Sequence, residues 1–178
     1  YGGAINNHGN LPGTGLMTID HCTFVDNQSL GDLASDASAG AIENIGFVDN
    51  SAIVTINHTR FISNRAIAGP GKGDALGGAI WNQGFGVNAG VMTIAHSEFI
   101  GNEAIGGAGL DNSSGQRIGS GGNGSGGAII NPNFTGFAGG TILNISHTKF
   151  IGNRAMGGDG GVGSAGRRGG LGGQGFYG

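Results

Sequence analysis

Phe61-Ile62-Ser63-Asn64 lies six residues after Thr55, and the arrangement recurs at Phe24-Val25-Asp26-Asn27, Phe99-Ile100-Gly101-Asn102 and Phe150-Ile151-Gly152-Asn153. Upstream of each copy stands a Gly-Ala-Ile-x-Asn segment, at 3–7, 40–44, 78–82 and 127–131. Between these two markers the stretches 17–24, 54–61, 92–99 and 143–150 align without gaps. An internal repeat of this kind decides the architecture before any single residue can be interpreted, because each repeat is one unit that stacks on its neighbours.

Within the aligned stretch, Met17/Ile19, Val54/Ile56, Met92/Ile94 and Leu143/Ile145 alternate with Thr18, Thr55, Thr93 and Asn144. A period of two is that of a half-buried strand. A second short strand carries Ala4-Ile5, Ala41-Ile42, Ala79-Ile80 and Ala128-Ile129. A third starts at each Phe and runs to Ser29, Ala66, Ala104 or Ala155. Three short strands per repeat with no helical pattern between them predict an all-β solenoid, a right-handed parallel β-helix of about four turns. The turns are read as 1–38, 39–76, 77–125 and 126–178 of a single domain. At one strand spacing per turn, such a coil is only ~15–20 Å tall. An up-and-down barrel is the structural rival, but it needs closure of first strand on last.

Unequal glycine-rich segments, 28–39, 67–76, 105–125 and 156–177, all leave the coil after the third strand and should project from one side. Their permissive backbone favours mobile or loosely packed loops; close-packed extended rows are the alternative. The chain opens at Tyr1 inside the repeat and closes at Phe176-Tyr177-Gly178. That phase suggests a processed protein or a window of a longer array.

Composition narrows the function classes. Glycine supplies 43 of 178 residues, more than three times its usual share of ~7%, without the strict period of collagen. A net charge of -3 gives no basic surface for nucleic acid, and no apolar run is long enough to span a membrane as a helix. The single Cys22 cannot form an internal disulfide, so stacking and burial must hold the fold.

Gly-Gly-Ala-Ile paired with Phe-x-x-Asn resembles the tetrapeptide repeats of chlamydial polymorphic outer-membrane proteins. It is similar, more widely, to glycine-rich right-handed parallel β-helices of bacterial surfaces. The resemblance covers nearly the whole chain and implies an extracellular or cell-surface protein. It does not choose among adhesins, passenger domains, fibres and polysaccharide-degrading enzymes. Most relatives carry Asn where this chain has His before the Phe.

Stacked turns turn equivalent residues into columns. Asn7, Asn44, Asn82 and Asn131 form one, and Asn27, Asn64, Asn102 and Asn153 another. Asn suits left-handed corners, and its amide can bond the amide a turn away. Matches to Asn-x-Ser/Thr are expected by chance in this composition. His21, His58, His96 and His147 form a third column, read as a corner at which imidazoles stack. Side chains of one column point in parallel and do not converge, so no metal is assigned. A stacked column that resists collective protonation predicts lower stability in acid. Phe24, Phe61, Phe99 and Phe150 are core residues with offset stacking. Val25, Ile62, Ile100 and Ile151 then face outward as an apolar stripe that needs cover. Trp81, beside Asn6, Glu43 and Ile130, reads as a partly covered surface aromatic.

No catalytic constellation emerges. Acids are scattered in the aligned core, and no Gly-x-Ser-x-Gly elbow, P-loop or Cys-x-x-Cys pair occurs. No cofactor is assigned. The expectation is a structural β-helix module forming a surface stalk, adhesin or self-associating fibre. Its expected partners are further copies of itself, joined by coil ends through Tyr1, Phe176, Tyr177 and the apolar stripe, with a surface glycan as a possible ligand. A polysaccharide-binding or polysaccharide-degrading β-helix is the alternative.

Overall fold

In Ala52–Asn57, Val54 and Ile56 point inward and are fully buried while Ile53, Thr55 and Asn57 face out. Its equivalents are Gly15–Asp20 before it and Gly90–Ala95 and Ile142–Ser146 after it, all parallel and in register, with Thr18, Thr55, Thr93 and Asn144 in one row. The computed structural model describes residues 2–9, 15–47, 52–110, 119–132, 140–162 and 171–176. Five four-stranded sheets, each taking one strand from every turn, form a parallel β-solenoid. Among the described residues no helix is long and apolar enough to cross a membrane.

The first sheet stacks Ile5–Gly9, Ile42–Gly46, Ile80–Gly84 and Ile129–Ile130, and the second contains Ala52–Asn57. The third stacks Thr23–Val25, Arg60–Ile62, Glu98–Ile100 and Lys149–Ile151. The fourth stacks Gln28–Leu30, Arg65–Ile67, Glu103–Ile105 and Arg154–Met156. The fifth pairs Ala37–Ser38, Ala75–Leu76, Gly124–Ser125 and Gly175–Phe176.

Each turn therefore has five strands where the sequence pattern suggested three. The strand expected to start at each Phe is split by Asp26, Ser63, Gly101 and Gly152, whose φ angles of 54°, 53°, 60° and 60° bend the chain between the third and fourth sheets. The fifth strand lies inside the glycine-rich segments, where no apolar alternation marks it. Left-handed corners are formed by these residues, by the four histidines and, between the fifth and first sheets, by Ala39, Gly77 and Gly126; the Asn columns, expected at corners, project inward instead.

Phe61 and Phe99 are fully buried, and the four rings stack at 4.9, 4.6 and 5.0 Å with interplanar angles of 4°, 5° and 8°. They pack with Ile42, Ile56, Ile80, Met92 and Ile94 into one core. A smaller core of Ala37, Ala66, Ala68, Ala75 and Ala104 lies between the fourth and fifth sheets, where only methyl groups fit. The column Gly3, Gly40, Gly78 and Gly127 follows the same logic. A Cβ on each of the first three would strike the carbonyl of the next glycine up the stack.

The glycine-rich segments depart from the loose loops expected of them. Where described, outgoing and returning stretches alternate in a hydrogen-bonded wall. The Gly69 amide donates to the Ser35 carbonyl at 3.0 Å, Gly107 to Gly73 at 2.9 Å, and Gly122 to Gly107 at 2.8 Å. Gly158 then donates to Gly122 at 2.9 Å and Gly173 to Gly158 at 2.7 Å. Backbones come this close because no side chain separates them: a Cβ on Gly69, Gly107 or Gly158 would collide with the carbonyl of Asp32, Gly69 or Gly107. Extended glycine costs much conformational entropy, and the amide bonds of the wall offset it.

The two views of position 107 predict opposite signs. In the packed wall, Gly107→Ala destabilises by about 1–3 kcal/mol through overpacking. In a loose loop it would stabilise by about 0.4–1 kcal/mol by restricting the unfolded chain. Denaturant midpoints of the wild type and variant read the sign directly, with Phe99→Ala, expected to cost about 3–5 kcal/mol, as the reference for a core position.

Candidate functional site

The inward amides are the most completely satisfied polar groups of the coil. Asn64 Oδ1 accepts from Asn27 N at 3.1 Å and Asn27 Nδ2 at 2.8 Å, while its own Nδ2 donates to the Phe24 carbonyl at 3.0 Å and Asn102 Oδ1 at 2.9 Å. Asn102 repeats the pattern one turn on, donating to Phe61 O at 3.0 Å and Asn153 Oδ1 at 2.8 Å. The second amide column runs from Asn7 to Asn44, Asn82 and Asn131 at 2.7, 2.6 and 2.6 Å. In both columns Nδ2 of each turn donates to Oδ1 of the next, so the ladders have a direction. Asn44, Asn64, Asn82 and Asn102 are fully buried, which makes full pairing obligatory.

Two ladders went unread in the sequence. At the corner after the second sheet, Thr59 Oγ1 accepts from Cys22 N at 3.3 Å, Ser97 Oγ from Thr59 N at 3.1 Å and Thr148 Oγ1 from Ser97 N at 3.4 Å. Mixed Cys, Thr and Ser hid the column, although all supply a small polar atom. In the glycine wall, Asp36 Oδ1 accepts from Asp74 N at 2.7 Å, Asp74 Oδ1 from Asn123 N at 2.6 Å and Asn123 Oδ1 from Gln174 N at 3.0 Å. Unequal loop lengths concealed that register.

On the outside, opposite charges face one another across successive turns. Glu98 meets Arg60 Nε at 3.2 Å and Lys149 Nζ at 3.5 Å, and Arg65 Nε meets Glu103 at 3.1 Å. Exposed pairs such as these contribute little individually. Val25 and Ile151 face solvent, each 52% exposed, with Ile62 and Ile100 half-buried between them, so the apolar stripe is where alternation placed it. Trp81 is half-buried over Glu43, and its Nε1 is buried without a hydrogen-bond partner. Glu43 is held by His8 Nε2 at 3.1 Å and Ser38 Oγ at 3.2 Å. Phe176 is the end strand of the fifth sheet, in register with Ser125, while Tyr1 and Tyr177 lie outside the described residues.

The histidine column is stacked as the sequence suggested, with ring centroids 4.7, 5.1 and 4.8 Å apart and interplanar angles of 17°, 10° and 14°. The four φ angles of 44–51° turn the chain at this corner and leave the rings exposed. Sequence reasoning compared the histidines only with one another. The adjoining column begins with Asp20, whose Oδ2 lies 3.0 Å from His21 Nδ1 and whose Oδ1 lies 3.6 Å from His58 Nδ1. The hydrogen bond from His21 holds the Asp20 carboxyl below the usual carboxylate range, reinforced by the charge of His21 and by His58.

No family model, curated protein or solved structure matches the chain.

Two measurements check these assignments. Asn64→Asp keeps the shape of the amide but removes the donors to Phe24 O and Asn102 Oδ1, and should destabilise by at least about 2 kcal/mol in denaturant titration. The Asp20 carboxyl, followed by NMR, should titrate below the ~3.9 of a free Asp, and His21→Asn should move it back toward that value. Because the folded value is depressed, any stability it confers is present above the unfolded value and disappears as pH falls through the folded one.

Proposed function

We propose that this chain is a non-catalytic structural module of an extracellular or cell-surface stalk, adhesin or fibre, which extends by adding coil upon coil. One observation carries the reading. At the fourth turn Ile145 and Phe150 are 43% and 47% exposed, whereas Ile94 and Phe99 one turn earlier are fully buried. They line an apolar depression with Ile129, Leu143 and Asn153. The chemistry that fits this surface is another turn of the same repeat.

The direction of the amide ladders selects which face docks there. Asn131 and Asn153 are the acceptors that end each ladder, so their Nδ2 groups face onward, while Oδ1 of Asn7 and Asn27 faces the opposite way at the first turn. Placing the first turn of a second copy on the fourth turn of the first continues both ladders and sets Phe24 on Phe150. Joining two fourth-turn ends would oppose donor to donor, and joining two first-turn ends acceptor to acceptor. Head-to-tail contact is heterologous and gives an open filament. The resemblance to repeat-built bacterial surface proteins points the same way, and Val25, Ile62, Ile100 and Ile151 offer a lateral contact between such rods.

Sedimentation velocity and negative-stain microscopy test this directly. The expected result is rods that lengthen with protein concentration, and their loss in Phe150→Asp with the far-ultraviolet spectrum of the coil retained. A wild-type chain that sediments as a monomer at every concentration, with unchanged ends, would remove the reading.

A further inference from the structure

The corner at His21 brings together a carboxylate and two imidazoles that no role in the scaffold requires. The side-chain ligand atoms of Asp20, His21 and His58 all lie within 4.8 Å of one another. Hydrogen-bond ladders account for every polar group the coil buries in the amide and hydroxyl columns, but this trio sits outside, exposed, at the first and second turns. Its position is unique along the stack. The column that starts with Asp20 continues as Asn57 and then Ala95, so His58 and His96 have no carboxylate between them.

We propose that Asp20, His21 and His58 form a binding site for a divalent transition-metal ion, with zinc the ion the donor set and spacing suit. Imidazole nitrogen and carboxylate oxygen are among zinc's ordinary ligands, and a tetrahedral ion with bonds of about 2.0 Å sets its ligand atoms about 3.3 Å apart. Asp20 reaches the two imidazoles through different oxygens, Oδ2 at 3.0 Å from His21 and Oδ1 at 3.6 Å from His58. With one ligand atom per residue the three lie within 4.8 Å, so a modest turn of His21 closes them around one ion. Water completes the coordination, since the site is open on its outer side.

Stacking explains why the column alone is a poor site and why a carboxylate beside two of its rings makes a better one. Parallel rings hold their nitrogen lone pairs parallel, so two stacked imidazoles cannot both aim at one ion. Among the described residues His21 has a stacking neighbour on one side only, whereas His58 is held between His21 and His96. His21 can therefore tilt out of the stack toward Asp20 while His58 keeps its contact with His96. The bound state has His21 turned and the remaining three rings still in column. Both histidines occupy left-handed backbone positions, which Asn also accepts, so Asn replacements remove the ligand and keep the corner.

The experiment is calorimetric titration of the whole chain with zinc chloride, paired with NMR of the histidine ring protons. One ion per chain is expected, with the resonances of His21 and His58 shifted and those of His147 unmoved. Asp20→Asn, His21→Asn and His58→Asn should each weaken binding by about tenfold or more, since even partners outside the coordination sphere are worth that much. Cys22→Ser, His8→Ala and His147→Asn should leave affinity within about twofold. The inference is overturned if Cys22→Ser or His8→Ala abolishes binding while Asp20→Asn does not, if all four column histidines shift together, or if no heat accompanies zinc at millimolar concentration. In the head-to-tail contact proposed above, His147 of one copy would stack on His21 of the next. The titration is therefore run at a concentration at which sedimentation shows single chains, and its result there does not depend on whether the coil polymerises.

Discussion

A coil one strand thick per turn gives an inward side chain only one dependable partner: the same position a turn away. That constraint governs the stacked phenylalanines and both asparagine ladders; buried Glu43 departs from it, held from other columns by His8 and Ser38. Apolar side chains meet it by stacking like on like, as the phenylalanines do. Buried polar side chains must be donor toward one neighbour and acceptor toward the other, and the carboxamide of Asn is well suited to that among the short side chains. An ionised carboxylate could not serve in the same place, because it has no donor to pass along the column. The acids that do form a ladder, Asp36 and Asp74, accept only from backbone amides, where a donor is always supplied.

The same constraint explains what could be read from the residues alone. Columns with one residue type, such as Phe24 to Phe150 and His21 to His147, announce both the repeat and its register, because identity at a constant phase has few other causes. The bend at Asp26, Ser63, Gly101 and Gly152 was not legible, since four turns solve one left-handed position with three residue types. Cys22, Thr59, Ser97 and Thr148 escaped for a related reason: they share a small polar atom and no name. Asp20 was overlooked because its significance lies across two columns, and a comparison within columns cannot reveal it.

Glycine misled most. A run of glycine is flexible in isolation, and flexibility was the expectation for the segments after the fourth sheet. What reversed it is repetition: four such runs at the same phase give each backbone another backbone to bond, and the missing side chain that makes a lone run mobile makes stacked runs close-packed. Glycine-rich composition therefore carries opposite meanings inside and outside a repeat.

That wall has a consequence for durability. Endoproteases take hold of an extended stretch of chain through its side chains and need its amides free to pair with the enzyme's own backbone. Gly69, Gly107, Gly122 and Gly158 present neither, since each lacks a side chain and each amide is already committed to a neighbouring row. Where the wall is described, backbone that composition alone would mark as easily nicked is thus armoured.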